Sequence, residues 1–225
     1  RMILTTGERA GTVTEAWSFD IPSLTKTKPT NRAAVGVYSV SVQGQGFGLT
    51  SYTSFIRVGF TSAEKTVWEA DTSIVCISGP GVGGTKVITV TTGIRAGSIT
   101  QAMTFDVPML SSVLPGNRAG TGSASVTVSG RNFGTNDYTS MSYAGGTQSE
   151  ATRWDSDTSV TLRMMGGIRG TRRMVVTVGE QVGSVTEIIS FDTPMLSTIT
   201  RTNRASTGSA SVTVQGANFG LTTYT

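Results

Sequence analysis

The sequence repeats every 86 residues, and this period constrains the fold more than any other feature of the chain. Four short motifs recur at this offset, without insertion or deletion: Phe-Asp at Phe19, Phe105 and Phe191; Asn-Arg-Ala at Asn31, Asn117 and Asn203; Gly-x-x-Phe-Gly at Gly44, Gly130 and Gly216; and Tyr-Thr at Tyr52, Tyr138 and Tyr224. A constant repeat length is typical of proteins whose units pack in a regular way against their neighbours.

The motif order divides the 225 residues into two whole repeats and two partial ones. Residues 1–20 correspond to the end of a repeat, 21–106 and 107–192 to complete repeats, and 193–225 to the start of a further one. Each partial repeat would expose half of a hydrophobic core. We therefore expect the protein to continue at both ends.

The composition and the apolar periodicity predict an all-β fold. Charged residues make up only 14% of the chain and 28 residues are glycine, which suits strands joined by tight turns. Apolar residues alternate with polar ones through each repeat, as at Val40 and Val42 and at their counterparts Val126 and Val128. About seven short strands per repeat predict an antiparallel β-sandwich.

Two further features are predicted from the same alternation. Cys76 occupies the position of Leu162 and is interpreted as a small buried hydrophobe, with a reactive thiol as the alternative. The last strand of each repeat breaks the pattern, because Gln101, Glu187 and their counterpart Glu15 fall in phase with apolar residues. Either a β-bulge or a position at a sheet edge would accommodate them.

Turn chemistry can also be assigned. The Gly83-Gly84 and Gly166-Gly167 pairs are predicted to supply positive φ angles. Asp71 and Asp157 are predicted to form Asx-turns, in which the carboxylate accepts a bond from the backbone two residues on. The Gly44–Gly48 element lacks the Lys-Ser/Thr pair of a phosphate-binding loop and is interpreted as a strand-to-loop turn.

Taken in order, these residues resemble the IPT/TIG family of immunoglobulin-like domains. The resemblance covers the whole chain, and its elements in the first complete repeat are Pro22, Gly44-x-x-Phe47-Gly48, Gly59, Trp68, Asp71-Thr72-Ser73-Ile74, Gly83-Gly84, Val87–Val90 and Phe105-Asp106-x-Pro108. It implies tandem immunoglobulin-like sandwiches that act as spacers or interaction modules and carry no catalytic residues of their own. The chain departs from the family at Asn31-Arg32-Ala33 and Asn117-Arg118-Ala119, where a Gly-Gly pair is common.

Little in the sequence points to catalysis, a cofactor or a metal. The chain has no histidine and one cysteine, so histidine-based nucleophilic triads and an internal disulfide are impossible within it. The Asp155-Ser156-Asp157 segment could supply oxygen ligands to Ca²⁺, but a structural turn is favoured. Trp68 and Trp154 could stack on sugars, although core tryptophans are favoured. We predict no catalytic, cofactor-binding or metal-binding residues.

The charge pattern bears on partners. The net charge is +4, and most basic residues are scattered, with one local cluster at Arg163, Arg169, Arg172 and Arg173. A solvated basic face is favoured over nucleic-acid binding, which usually requires a dense basic stripe with interleaved aromatics. No stretch reaches 18 apolar residues, so no membrane span is predicted in this part of the protein.

The fixed period favours a non-enzymatic structural protein, a fibre, filament or surface appendage outside the cell, assembled by packing of one repeat on another. Pro22, Pro108 and Pro194 follow the Phe-Asp strand ends and would stiffen the junctions, because proline fixes φ. Two other functions remain open. One is an adhesin or receptor stalk that binds a protein or a glycan, and the other is an accessory region of a secreted enzyme.

Overall fold

The protein is all-β, as the sequence predicts. The structure, a computed structural model, describes residues 1–15, 18–138, 140–168, 170–200, 203, 206, 208 and 211–221, and no helix occurs among them. Arg169 and Tyr224, which the sequence analysis singled out, lie outside the described residues.

Residues 1–106 contain eleven strands. The partial repeat at the start has a hairpin of two strands, β1 (Met2–Thr6) and β2 (Arg9–Val13). The first complete repeat has nine strands: β3 (Ser23–Lys28), β4 (Asn31–Arg32), β5 (Tyr38–Gln45), β6 (Phe55–Val58), β7 (Thr61–Ser62), β8 (Lys65–Ala70), β9 (Ser73–Ser78), β10 (Lys86–Thr92) and β11 (Arg95–Phe105).

The second complete repeat has the same nine strands. They are β12 (Met109–Leu114), β13 (Asn117–Arg118), β14 (Ser125–Arg131), β15 (Met141–Ala144), β16 (Thr147–Gln148), β17 (Ala151–Ser156), β18 (Ser159–Arg163), β19 (Arg172–Val178) and β20 (Gln181–Phe191). The last partial repeat has two, β21 (Met195–Thr200) and β22 (Thr213–Ala217). The predicted count of about seven strands per repeat was low, because β4, β7, β13 and β16 have only two residues each.

Each complete repeat forms one four-stranded and one five-stranded sheet. The strand orders are β3-β5-β9-β8 and β4-β11-β10-β6-β7 in the first repeat, and β12-β14-β18-β17 and β13-β20-β19-β15-β16 in the second. All pairs are antiparallel except β4 with β11 and β13 with β20. The two repeats therefore have the same topology, that of an immunoglobulin-like sandwich.

The core of the second repeat follows from the period-two alternation. Side chains from both of its sheets meet in one hydrophobic cluster whose fully buried members include Val126, Val160, Met174 and Ile189. In the first repeat, Cys76 is fully buried and lies opposite Val40 in the β5–β9 ladder. Its counterpart Leu162 is also buried, which confirms the interpretation of Cys76 as a core hydrophobe.

The Asn-Arg-Ala motif ties the start of each repeat to its last strand. Asn117 and Arg118 form β13, which runs parallel to the end of β20. The Asn117 side chain donates to the Asp192 carboxylate and accepts a bond from the Ser190 hydroxyl at 2.7 Å. Asn31 makes the same contacts with Asp106 and Thr104 in the first repeat. This departure from the family therefore has a structural purpose, since the pair closes the five-stranded sheet.

The break in the last strand is a β-bulge. In the β19–β20 ladder, Met174 lies opposite Val185 but Arg172 lies opposite Ile189, so β20 carries extra residues at this point. Glu187 has a φ of 54° there, and Gln101 has the same φ in the first repeat. Both side chains are exposed. The bulge changes which face of the sheet the side chains point to, so the apolar residues after it again face the core.

Substitutions at Glu187 test this geometry. Glu187→Gly should raise the free energy of unfolding by up to about 1 kcal/mol, because a left-handed conformation strains residues that have a Cβ atom. Glu187→Val should lower it by about 1–2 kcal/mol, since a β-branched residue tolerates positive φ poorly. Urea denaturation followed by circular dichroism measures both changes. Equal stability of the two variants would contradict the bulge.

The Gly-x-x-Phe-Gly element is a strand-to-loop turn, as predicted. At the end of β14, a Cβ atom on Gly130 would lie 2.6 Å from the ring of Phe133, so glycine lets this fully buried ring fold back over the strand. The Phe133 amide donates to the Asp157 carbonyl at 3.0 Å. Gly44, Phe47 and Asp71 repeat the arrangement in the first repeat.

The prediction of Asx-turns at Asp71 and Asp157 was wrong. The Asp157 carboxylate accepts a bond from the Gly134 amide at 2.9 Å, and that of Asp71 accepts one from Gly48 at 2.8 Å. Each bond spans 23 residues. These carboxylates therefore hold the Phe-Gly loop against the turn between β8 and β9 or between β17 and β18, rather than closing a local turn. The prediction assumed a donor two residues after each aspartate. The actual donors lie in a different loop, which strand pairing brings close.

The interpretation of the glycine pairs was correct only for Gly83, which has a φ of 102°. Gly84, Gly166 and Gly167 do not have positive φ. Gly167 is needed for space, because a Cβ atom there would lie 2.7 Å from the Phe191 ring. Its counterpart in the first repeat is Gly81, where a Cβ atom would lie 2.7 Å from the Phe105 ring. The error came from pairing Gly83-Gly84 with Gly166-Gly167, which are not 86 residues apart.

By backbone contacts the chain divides into two compact units. One comprises residues 1–30, 37–79 and 85–103, and the other comprises 31–36, 80–84 and 104–225. Pro22 is buried in the first unit and Pro108 in the second. A Cβ atom on Gly183 would lie 2.3 Å from the Pro108 carbonyl oxygen, so this proline packs closely on β20. Stiffening of repeat junctions by these prolines stays a prediction.

Candidate functional site

The carboxylates considered for calcium are committed to other partners. Asp155 forms an ion pair with Arg153 at 2.8 Å and accepts a bond from the Thr161 hydroxyl at 2.5 Å. Asp157 accepts the bond from Gly134 described above. Among the described residues, no three acidic or cysteine side chains cluster in a way that could hold a metal ion. The contacts thus support the structural-turn interpretation of this segment.

The two tryptophans in the complete repeats are only partly exposed. Trp154 on β17 is half-buried and packs against the hydrophobic cluster of the second repeat. Trp68 occupies the same position on β8 and is also half-buried, and the indole nitrogens of both are buried. A sugar platform needs an open aromatic face, so these contacts support the core interpretation.

The basic cluster is divided among different partners. Arg163 pairs with Glu150 at 3.1 Å, Arg172 donates to the Ile168 carbonyl at 2.9 Å, and Arg173 donates to the Ser184 hydroxyl at 2.8 Å. Each of these guanidinium groups has a partner within the second unit. Only Arg163 is paired with a carboxylate, whereas Arg172 and Arg173 bond to neutral oxygen atoms and keep their positive charge.

A small cavity lies at one end of the second repeat. Its volume is about 60 Å³, and Arg172, Thr147 and Ser149 contribute its polar lining beside Phe191 and Met164. Binding sites for drug-sized ligands occupy roughly 300–1,000 Å³. The space suits water rather than a substrate, so the cavity gives no support to an enzymatic function.

A more informative feature lies at the other end of the second repeat, within the second unit. The apolar side chain of Val82 packs against the hydrophobic cluster there. A Cβ atom on Gly134 would lie 2.9 Å from a Val82 methyl group, and one on Gly179 would lie 3.3 Å from the other methyl. Glycine at both positions therefore leaves room for Val82. We refer to this arrangement as the Val82 contact.

A hydrogen bond accompanies the Val82 contact. Gln181, at the start of β20, donates from its side-chain amide to the Phe105 carbonyl at 3.0 Å. Both residues belong to the second unit. Because Val82 and Phe105 belong to the 21–106 repeat and Gln181 to the 107–192 repeat, one compact unit contains segments of two successive repeats. This site joins segments of the two repeats through apolar packing and one hydrogen bond.

The sequence analysis missed Val82. The signal was present, since Ile168 follows it by 86 residues and is also apolar in a loop rich in glycine. An apolar residue in such a loop has no partner in its own strand ladder. Sequence alone does not say which surface it reaches.

The two-sheet topology defines an immunoglobulin-like β-sandwich module. Residues 108–192 match the model of the IPT/TIG domain. That segment therefore belongs to the IPT/TIG family, and the 86-residue period and shared topology extend the same architecture to residues 21–106. No curated protein sequence matches the chain.

Several solved structures are similar to the chain. A surface glycan-binding protein from Prevotella bryantii has a TM-score of 0.50 at 15% identity, covering 77% of this chain and 43% of that one. The full extracellular region of plexin A4 has a TM-score of 0.38 at 16% identity, covering 82% of this chain and 20% of that one. An I9–I11 tandem from titin has a TM-score of 0.32 at 14% identity, covering 76% and 66%.

The chain thus spans less than half the length of the plexin and glycan-binding structures. At these identities the similarity concerns the fold. The described residues include no helix that is long and apolar enough to cross a membrane.

Proposed function

We propose that the chain is a non-catalytic structural section of an extracellular or cell-surface protein. In this proposal, successive immunoglobulin-like repeats pack on one another to form a fibre, filament or surface appendage. The observation that carries the proposal is the Val82 contact, in which one repeat's loop is built into the hydrophobic cluster of the next. Neither a cofactor nor a metal is needed for such a function.

Three properties of the chain support regular stacking. The period is constant, so every junction has the same chain length. Val82 is held by glycines that leave space for it, and the Gln181–Phe105 bond fixes a second point of the same contact. In the first repeat the corresponding position is Arg95, whose side chain can also donate to a carbonyl oxygen. Repetition of one defined junction is what a regular filament requires.

A surface location agrees with the proposal. The Prevotella structure with a TM-score of 0.50 is named as a surface glycan-binding protein, although the likeness to this chain is one of fold. Structural repeats of this class need no partner other than further repeats. We infer that self-association is the main interaction of this region.

Electron microscopy of the native full-length protein tests the proposal. We expect ordered filaments whose axial period is a simple multiple of one repeat. Isolated flexible chains, or rods that never associate, would contradict the structural function. A sample treated to remove bound carbohydrate serves as a control for assembly through attached sugars.

A second function, adhesion through a protein or glycan, is favoured by one observation. Phe60 at the β6–β7 turn is fully exposed, whereas its counterpart in the second repeat is Gly146. An exposed aromatic ring present in only one repeat is typical of a recognition residue. Calorimetric titration of the chain with soluble oligosaccharides distinguishes the two functions. Binding that Phe60→Ala abolishes would favour adhesion, and its absence favours the structural function.

A further inference from the structure

An apolar surface at one end of the first complete repeat has no cover, although the same surface of the second repeat has one. Leu49 and Tyr52, in the loop after β5, are 84% and 52% exposed. Ile94, in the β10–β11 turn, is fully exposed, and the neighbouring Gly93 amide donates to the Tyr52 carbonyl at 3.2 Å. We refer to these three residues as the Leu49 face. Such a group of exposed apolar side chains is typical of an interaction surface.

Two of the three corresponding residues of the second repeat are partly covered, and the third, Glu180 in place of Ile94, is charged and exposed. Thr135 and Tyr138, the counterparts of Leu49 and Tyr52, are both half-buried, and Tyr138 packs against the hydrophobic cluster. Asn132 is buried, whereas its counterpart Gly46 is exposed. The covering group is the loop that carries Val82, because this valine lies over Gly134 and Gly179 at the same end. The two surfaces thus differ in the presence of a loop from a preceding repeat.

The last partial repeat gives a second example. Leu221 is the counterpart of Leu49, and a Cβ atom on Gly166 would lie 3.3 Å from a Leu221 methyl group. Gly166 belongs to the loop of the second repeat that corresponds to the Val82 loop. Leu221 thus lies beside the loop of the preceding repeat and is 67% exposed, less than the 84% of Leu49.

We propose that the Leu49 face is the docking site for the Val82-type loop of a preceding repeat in the same polypeptide. The inference rests on the proposed function, since it assigns the junction between the first complete repeat and the repeat that precedes it. The occupant would place an apolar residue equivalent to Val82 over Gly48 and Gly93, the counterparts of Gly134 and Gly179. Burial of Leu49, Tyr52 and Ile94 would then stabilise the junction through removal of apolar surface from water.

Thiol labelling tests the docking site. The full chain is lengthened by one in-frame copy of residues 21–106 placed before Ile21, and Leu49→Cys is introduced in the original repeat. We expect the Leu49→Cys thiol to react with a maleimide about tenfold more slowly in the lengthened chain, because covered sites react only through local opening. The unmodified chain, whose Cys76 is buried, gives the background.

Two further variants make the result specific. Val82→Asp in the added copy should restore fast labelling, since a carboxylate does not enter an apolar contact without cost. Phe60→Cys should label equally fast in both chains, because the β6–β7 turn lies at the opposite end of the β6–β10 ladder from Ile94. Equal labelling of Leu49→Cys with and without the added copy would overturn the inference. Protection that depends on protein concentration would also overturn it, in favour of a second chain as the occupant.

Failure of this inference is separable from failure of the proposed function. Filaments in the microscope with an unprotected Leu49→Cys thiol would leave the structural function intact and remove the assigned docking site. Protection of that thiol in a protein that never forms filaments would keep the docking site and contradict the filament.

Discussion

Phe133→Ala should lower the free energy of unfolding of the second repeat by about 3–5 kcal/mol. The ring is fully buried, folds back over Gly130, and belongs to the cluster that also holds Val126 and Leu162. Truncation leaves a cavity beneath the loop that Asp157 holds, and strands β14 and β18 are too firmly paired to close it. Urea denaturation followed by circular dichroism measures the change.

The chain contains a matched control for this substitution. Phe219 occupies the same position of the motif in the last partial repeat and is 44% exposed. Phe219→Ala should therefore change the stability by less than about 0.5 kcal/mol, as most surface substitutions do. An effect of Phe133→Ala as small as that of Phe219→Ala would contradict the assigned core.

Gly183→Ala has the second largest expected effect. A Cβ atom at this position would lie 2.3 Å from the Pro108 carbonyl oxygen and 2.8 Å from a Leu110 methyl group. The nearest obstacle is backbone, which cannot rotate away, so the start of β12 must move from β20. We expect a loss of about 1–3 kcal/mol, the usual cost of overpacking. Differential scanning calorimetry of the full chain should show a lower melting temperature.

Gly11→Ala is the control for this prediction. Gly11 stands 172 residues before Gly183, which is two repeat lengths, but nothing lies within 4 Å of a Cβ atom there. The substitution should leave the melting temperature unchanged or raise it slightly, because alanine restricts the unfolded chain more than glycine does. A Gly183→Ala protein as stable as the Gly11→Ala protein would show that β12 does not approach β20 this closely.

Much of the fold was predictable because the alternation of apolar and polar residues marks each strand in its own sequence. The alternation at Val126 and Val128 predicts the buried face of β14 whatever the rest of the chain does. Likewise, Cys76 could be placed in the core, since it replaces a leucine in an alternating strand. Because the two complete repeats have corresponding strands, an ambiguous strand in one repeat can be assigned from its counterpart in the other.

Features that depend on contacts between distant residues were predicted wrongly, left open or missed. Asp157 has its partner 23 positions earlier, in a loop that only the pairing of β14 with β18 brings near it. The choice between bulge and edge at Glu187 depended on the register of β19 with β20, which the strand's own residues do not encode. The Val82 contact could not be predicted for the same reason, because its partners lie beyond a repeat boundary.

The absence of predicted catalytic residues follows from composition alone. A chain without histidine lacks the commonest general base, and the buried face of a small sandwich has no room for a substrate. What the structure adds is the Val82 contact, in which a loop of one repeat reaches the hydrophobic cluster of the following repeat. The boundaries at residues 21, 107 and 193 remain a prediction from the period.

The central claim is that successive repeats stack in one fixed geometry, and small-angle scattering of a length series tests it most directly. The chain is lengthened by one, two and three in-frame copies of residues 21–106, and the maximum dimension of each protein is measured. Fixed stacking predicts an equal increase for every added repeat. Increments that shrink as repeats are added, as the square-root law of a flexible chain requires, would contradict the account.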